Sequence, residues 1–228
     1  MTTRTPFEID EWYHCYSRGV DKRRVFENTV DYDRFLLQVY AANRSHPVHI
    51  SNLKEKRFSQ VIAREMLEHG EPIVEIGAYC LLPNHFHILL KETEEGGIAL
   101  FMQKLITGYT MYFNKKRERT GALFSGTYRS KHVLDDQYLK HLISYVHLNP
   151  VELCEPKWKE GRGNIKTIEK FLQTYPYSSL VPYKDKSHPG RQLLGEGIFE
   201  LFDELPNLKE MLIEAKNYYE EHEHNGKV

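Results

Sequence analysis

Val74 to Lys91 reads VEIGAYCLLPNHFHILLK. Val74 to Leu82 is a strand-length run closed by Pro83 and Asn84, and His85 to Lys91 (HFHILLK) is a second run, so the two form a hairpin. Alternate residues of a strand face the same way. His85, His87 and Leu89 therefore share one face, and Phe86, Ile88 and Leu90 share the other. The apolar set is expected to bury against helices. That leaves two imidazoles about 7 Å apart along the strand, a pair able to converge on one cation. Most such pairs in strands are surface or core histidines, so the motif needs company before it carries chemistry.

Working outward, Trp12 to Arg18 (WYHCYSR) is short, aromatic-rich and stopped at Gly19, which predicts a strand. Asp31 to Arg44 has Phe35, Leu36, Val39 and Tyr40 at helical spacing. Phe58 to Glu68 predicts a further short helix before Gly70. Gly96 and Gly97 break the pattern after the hairpin. Ile98 to Arg119 predicts a long helix with Leu100, Phe101, Leu105, Tyr109, Tyr112 and Phe113 on one broad face. Gly121 to Val133 predicts a strand. Asp135 and Asp136 open another helix as N-terminal acids, and Asn149-Pro150 ends it. The order predicts an α+β fold. It is a split βαββαβ unit of the ferredoxin or RRM kind, with an antiparallel sheet, helices on one face and one added helix. Residues 1–153 are expected to form this domain, with a helical insertion over about 45–73. Residues 154–228 form a mostly helical extension, with helices near Gln192 to Phe202 and Asn207 to Glu221.

The chain has 228 residues, 40% hydrophobic and 28% charged, enough for a packed core. No apolar run is long enough to cross a bilayer, and the N-terminus lacks the order of a signal peptide. Cys15, Cys80 and Cys154 are widely spaced and odd in number, so a reduced, cytoplasmic protein is expected. Net charge is −1, but it is unevenly spread. Lys104 to Arg129 carries six cations against Glu118 alone, and Arg18, Lys22, Arg23 and Arg24 form a second cluster. The acids gather after Gly195. A solvated helix face explains most charge runs; the other reading is a nucleic-acid-binding body with an acidic tail.

A second constellation ends the helix after the last strand. Leu139, Leu142, Ile143 and Val146 form its buried stripe, and Tyr138, His141, Tyr145 and Asn149 form a neighbouring one. Tyr145 and Asn149 sit one helical turn apart. On this helix alone, a boundary tyrosine and a terminal asparagine would be an ordinary explanation.

Five stretches, in order, resemble the Y1 tyrosine transposases of the IS200 class, and most of all the REP-associated branch. They are Tyr13 to Gly19 (YHCYSRG), Leu82 to His87 (LPNHFH), Phe101 to Leu105 (FMQKL), Gly121 to Val133 (GALFSGTYRSKHV) and Tyr145 to Val151 (YVHLNPV). A fainter echo lies at Tyr175 to Ser179. The resemblance implies that His85 and His87 are the HUH pair holding a divalent cation, Mg²⁺ or Mn²⁺. It also implies that Asn149 is a polar third ligand and Tyr145 the nucleophile. It implies a transposase that cuts and rejoins single-stranded or hairpin DNA, working as a monomer or a homodimer.

The chemistry suits those residue types. Conserving the energy of a cut phosphodiester requires a covalent intermediate. A phenol, with an ordinary pKa of about 10, is far more acidic than a serine hydroxyl. Arg18, Arg23, Arg129 and Lys131 are the candidates for DNA phosphates. The acidic segment after Gly195 is expected to lie away from the groove or to cover it, because lining it would repel the same phosphates. Three other readings compete. One is a non-catalytic RRM-like nucleic-acid binder, whose fold is shared but whose aromatic platform is not evident. Another is a cupin-like metal site built on His85, His87 and Glu92, which the flanking helices disfavour. The third is another HUH endonuclease of the replication-initiator type.

Overall fold

The computed structural model describes residues 6–50, 57–65, 70–160, 163–201 and 207–223. Its centre is a four-stranded sheet of β1 (Trp12–Arg18), β2 (Val74–Leu82), β3 (His85–Glu92) and β4 (Arg129–His132), in the order β2-β3-β1-β4. All pairings are antiparallel. Between the strands run α1 (Thr29–Ala42), α2 (Phe58–Glu65) and α3 (Gly97–Lys116), and α4 (Asp136–Leu148) follows β4. The helix starts are local chemistry. Asn28 accepts the Asp31 N–H, Asp135 accepts the Tyr138 N–H, and Gly96 enters α3 at a φ of 80°. Of the predicted insertion, α2 lies within the described residues, while 51–56 and 66–69 lie outside them.

The β2–β3 hairpin pairs Leu82 with His85 across Pro83-Asn84. Its alternation sorts two cores. Phe86, Ile88 and Leu90 bury with Phe35, Phe101 and Tyr109 of α1 and α3 on one face. Leu89, Ala78 and Trp12 bury with Leu139, Leu142, Ile143 and Val146 of α4 on the other. Between Ile76 and Ala78 the register shifts. A Cβ on Gly77 would sit 2.7 Å from the Trp12 ring, so only glycine lets that ring lie flat over the bulge. Glu92 is fully buried. Its two carboxylate oxygens accept the Gly96 and Ile98 N–H groups at 2.7 Å, so it caps α3 and is not part of any site with His85 and His87.

Two expectations are corrected. The strand predicted over Gly121 to Val133 shortens to Arg129–His132. Gly121 and Gly126 take φ values of 85° and 72°, which turns the chain; between them only an isolated bridge from Phe124 to Gly19 remains, and the Leu123 and Phe124 side chains plug the first core. The helix predicted over Gln192 to Phe202 is a 3-10 turn at Pro189–Leu193 and a single helical turn, α8 (Gly197–Glu200); Phe202 lies outside the described residues. Gly195 donates its N–H to Ile76 O at 3.0 Å and Glu75 accepts the Ile198 N–H at 2.9 Å, so the sheet edge captures this backbone before a helix can propagate.

The extension adds α5 (Val151–Cys154), α6 (Ile165–Thr174), α7 (Leu180–Lys184) and α9 (Leu208–Glu223). Its Tyr175–Ser179 stretch runs along β2. Leu81 N–H donates to Tyr177 O and Ser179 N–H to Tyr79 O, both at 2.9 Å, which covers an otherwise open sheet edge. A third core joins Leu148 and Val151 to Trp158, Leu172, Leu180, Leu208, Met211 and Leu212. Among the described residues no helix is long and apolar enough to cross a membrane.

Candidate active site

Three elements meet at one cleft of about 890 Å³. β1 contributes His14, Tyr16 and Arg18; β3 contributes His85 and His87; α4 and the turn after it contribute Tyr138, His141, Tyr145 and Asn149. The strand alternation that buries Phe86 and Ile88 turns His85 and His87 toward α4. An i, i+2 pair on a strand starts about 7 Å apart, yet the two ring centroids lie 5.1 Å apart and nearly perpendicular, so the rings lean together. Tyr145 meets the His87 ring edge-on at 5.6 Å.

Each imidazole has one nitrogen occupied by a neighbour. Asn84 Oδ1 accepts from His85 Nδ1 at 2.6 Å, which leaves the His85 Nε2 lone pair bare. His87 Nδ1 lies 2.8 Å from His14 Nε2, both rings being buried. Asn149 Nδ2 donates to Tyr145 O at 2.9 Å, so its Oδ1 is the atom left to serve a ligand. Burial pushes the His85 pKa down to about 4, with Arg18 adding to the effect. Burial, then the His14 and His85 rings, hold His87 well below the ordinary histidine range. Burial pushes the Tyr145 phenol up; the Asn149 hydrogen bond opposes this. Two neutral imidazole nitrogens and an amide oxygen are donors that a divalent cation accepts. Among the described residues no group of three or more His, Cys, Asp and Glu side chains could hold a metal, so any such centre here depends on the amide.

Residues 38–149 match the model of the family described as Transposase IS200 like. Over these residues the chain is similar to the IS200-like transposases. The matched segment contains His85, His87, Tyr145 and Asn149. A solved structure described as the REP-associated tyrosine transposase bound to a REP hairpin is similar over 86% of this chain and 88% of that one, with 14% identity and a TM-score of 0.49. No curated protein matches the chain.

The candidate cations divide. Arg18, Arg129 and Lys131 line the cleft. Arg23 does not; its guanidinium reaches Asp21 at 3.5 Å and Val20 O at 3.0 Å. The long basic run of α3 is also elsewhere, because α3 packs on the sheet face opposite the histidines. There Lys116 pairs with Asp31 at 2.5 Å, Arg117 pairs with Glu27, and Lys104 donates to Arg44 O at 3.0 Å. These three cations are held by groups of the same chain on the face away from the cleft. Lys22, from the second basic cluster, and Lys159, which was not singled out, also line the cleft. Lys159 comes from the weakly patterned extension, where it pairs with Glu152. His14 was also passed over, although the alternation Trp12, His14, Tyr16 could have placed it beside the histidine pair. The acidic tail is corrected too. Glu214 of α9 lines the cleft and lies 4.0 Å from His141, so part of the acidic segment forms a wall of the groove. Apolar packing of Leu208, Met211 and Leu212 places α9 there, and without DNA its half-exposed carboxylate faces a mostly cationic lining.

Proposed function

We propose that this transposase cuts and rejoins single-stranded or hairpin DNA through a covalent phosphotyrosine on Tyr145, with His85, His87 and Asn149 holding a divalent cation. The observation that carries the proposal is the meeting of Tyr145, Asn149 and the histidine pair in one cleft. Arg18, Arg129 and Lys131, with Lys22 and Lys159, would hold the strand by its phosphates. Tyr145 Oη would lose its proton to solvent and attack phosphorus. A Tyr145 Oη–P bond forms as the P–O3′ bond breaks, and the departing 3′-oxygen takes a proton. A 3′-hydroxyl attacking the phosphotyrosine reverses the step. Mg²⁺ or Mn²⁺, of which imidazole favours Mn²⁺, would supply polarisation of the scissile phosphate and relief of its developing charge. An RRM-like binder would also have a four-stranded antiparallel sheet with helices, but here α4 and α8 pack on the second sheet face. Among the described residues, that covers part of the face on which an RRM would stack bases and leaves imidazoles in the cleft.

The test is to incubate the protein with Mn²⁺ and labelled hairpin, single-stranded and blunt duplex oligonucleotides. The expected result is a covalent protein–DNA adduct with hairpin or single-stranded DNA and none with duplex. Binding should weaken with salt. Five cleft cations, at a slope of about 0.7 per phosphate on single strands, predict a loss of roughly a hundredfold between about 50 and about 200 mM salt. Equal binding of blunt duplex, with no salt slope, would remove the substrate from this reading.

The pH profile has a definite sign. The Tyr145 pKa is raised, so over the neutral range its reactive phenolate is scarce and grows about tenfold per pH unit. The His85 pKa is lowered to about 4, so the ligand stays unprotonated well below neutrality. Single-turnover cleavage should rise steadily from pH 6 to pH 9, with no histidine step near 6.5. A flat profile would show that ionisation of Tyr145 does not limit the step.

A further inference from the structure

We infer that His14 is a positioning residue for His87, accepting the His87 Nδ1 proton so that His87 Nε2 keeps a bare lone pair for a divalent cation. The inference rests on the metal role proposed above. In the sheet, Tyr16 stands opposite His87 and His14 opposite Leu89, so the His14 ring reaches His87 diagonally across the β1–β3 pair. The rings lie with centroids 5.0 Å apart and planes within 19°. Tyr16 flanks both, at 5.0 Å from the His14 ring and 5.7 Å from the His87 ring. Tyr145 closes on His14 edge-on at 6.0 Å. Packing holds both imidazoles in one orientation.

Only one hydrogen fits in a 2.8 Å contact between two nitrogens. If His14 Nε2 carried it, a neutral His87 would bear its proton on Nε2 and could not ligate. If His87 Nδ1 carries it, His14 is the acceptor and His87 Nε2 is bare. His85 is set the same way by a different group, the Asn84 side-chain oxygen. Both histidines thus have Nδ1 tied and Nε2 left over. Partners that fix the tautomer of a ligating histidine are a general device of metal sites. A residue that merely filled this space could be aromatic and apolar, as Phe86 is on the opposite face. Two buried imidazoles that meet through their ring nitrogens in near-parallel planes are better explained by the proton they place.

The test uses the full chain and Mn²⁺ alone, followed by paramagnetic resonance or calorimetry. His14→Phe keeps the ring and removes the acceptor, and should weaken Mn²⁺ binding by about 10- to 100-fold. His14→Gln restores an acceptor oxygen and should recover most of the affinity. In metal-free protein labelled with ¹⁵N-histidine, His87 should carry its proton on Nδ1 in the native chain and lose that preference in His14→Phe. This second reading would not move if His14 were only packing. His85→Ala separates the failures. If the native chain binds Mn²⁺, loses it in His85→Ala and keeps it in His14→Phe with an unchanged His87 tautomer, the role of His14 is overturned alone. If the native chain binds no Mn²⁺, the metal reading and this inference fall together.

Discussion

Tyr145→Phe is expected to abolish the covalent adduct and to leave DNA binding within a few-fold of the native chain. Only one oxygen is removed. The ring stays in place against His14 and His87, and the cleft cations on β1, β4 and the extension are untouched. Loss of the nucleophile in enzymes with a covalent step costs roughly a thousandfold or more, so no adduct should appear on denaturing gels. Stability should change by about 1 kcal/mol at most, the value of the lost contact with Asn149. Tyr138 is the control residue. It also lines the cleft, with Lys131 Nζ 5.1 Å over its ring, and it lies two helical turns before Tyr145. An adduct that persists in Tyr145→Phe and disappears in Tyr138→Phe would move the nucleophile to that position.

Deleting everything after Leu201 should unfold or severely loosen the chain, despite the distance in sequence from the catalytic motifs. α9 buries Leu208, Met211 and Leu212 against Leu148 and Val151, the residues that flank Asn149 and Pro150. At about 1.5–3 kcal/mol for each buried side chain, the loss is roughly 5 kcal/mol or more, against a typical total stability of about 5–15 kcal/mol. Met211→Ala alone should cost about 2–5 kcal/mol in urea denaturation. Glu214→Gln separates the charge of α9 from its packing. It should leave the melting temperature unchanged and tighten DNA binding a few-fold at low salt, an effect that fades as salt rises. A truncated chain of native stability would show that α9 is a detachable flap and not a buttress of α4.

Much of the site was legible because its pieces are local. The two-residue period of HFHILLK put His85 and His87 on one face with Leu89 and sent Phe86, Ile88 and Leu90 to the core, and the structure divides them that way. The helical period put Tyr138, His141, Tyr145 and Asn149 on one stripe, and all four line the cleft. The long basic helix misled because charge patterning says which residues reach water, not which side of the sheet that water lies on. Gly121 to Val133 misled because β-forming residues continue through a stretch whose glycines turn it and whose Leu123 and Phe124 are drawn into the core.

The four candidate residues came from the resemblance to a known family. The sequence by itself determined the order of the elements, the faces of β3 and α4, and the helix starts at Gly96 and Asp135. Each of these depends on neighbours within a few positions along the chain, where the geometry of a strand or helix leaves little freedom. Only the tertiary structure decided that His14 meets His87, that Arg23 and the α3 cations stand away from the cleft, and that Lys159 and Glu214 join it. Those are contacts between segments far apart in sequence. They follow from which apolar faces bury against which, and the packing of Leu208, Met211 and Leu212 against Leu148 fixes where Glu214 stands.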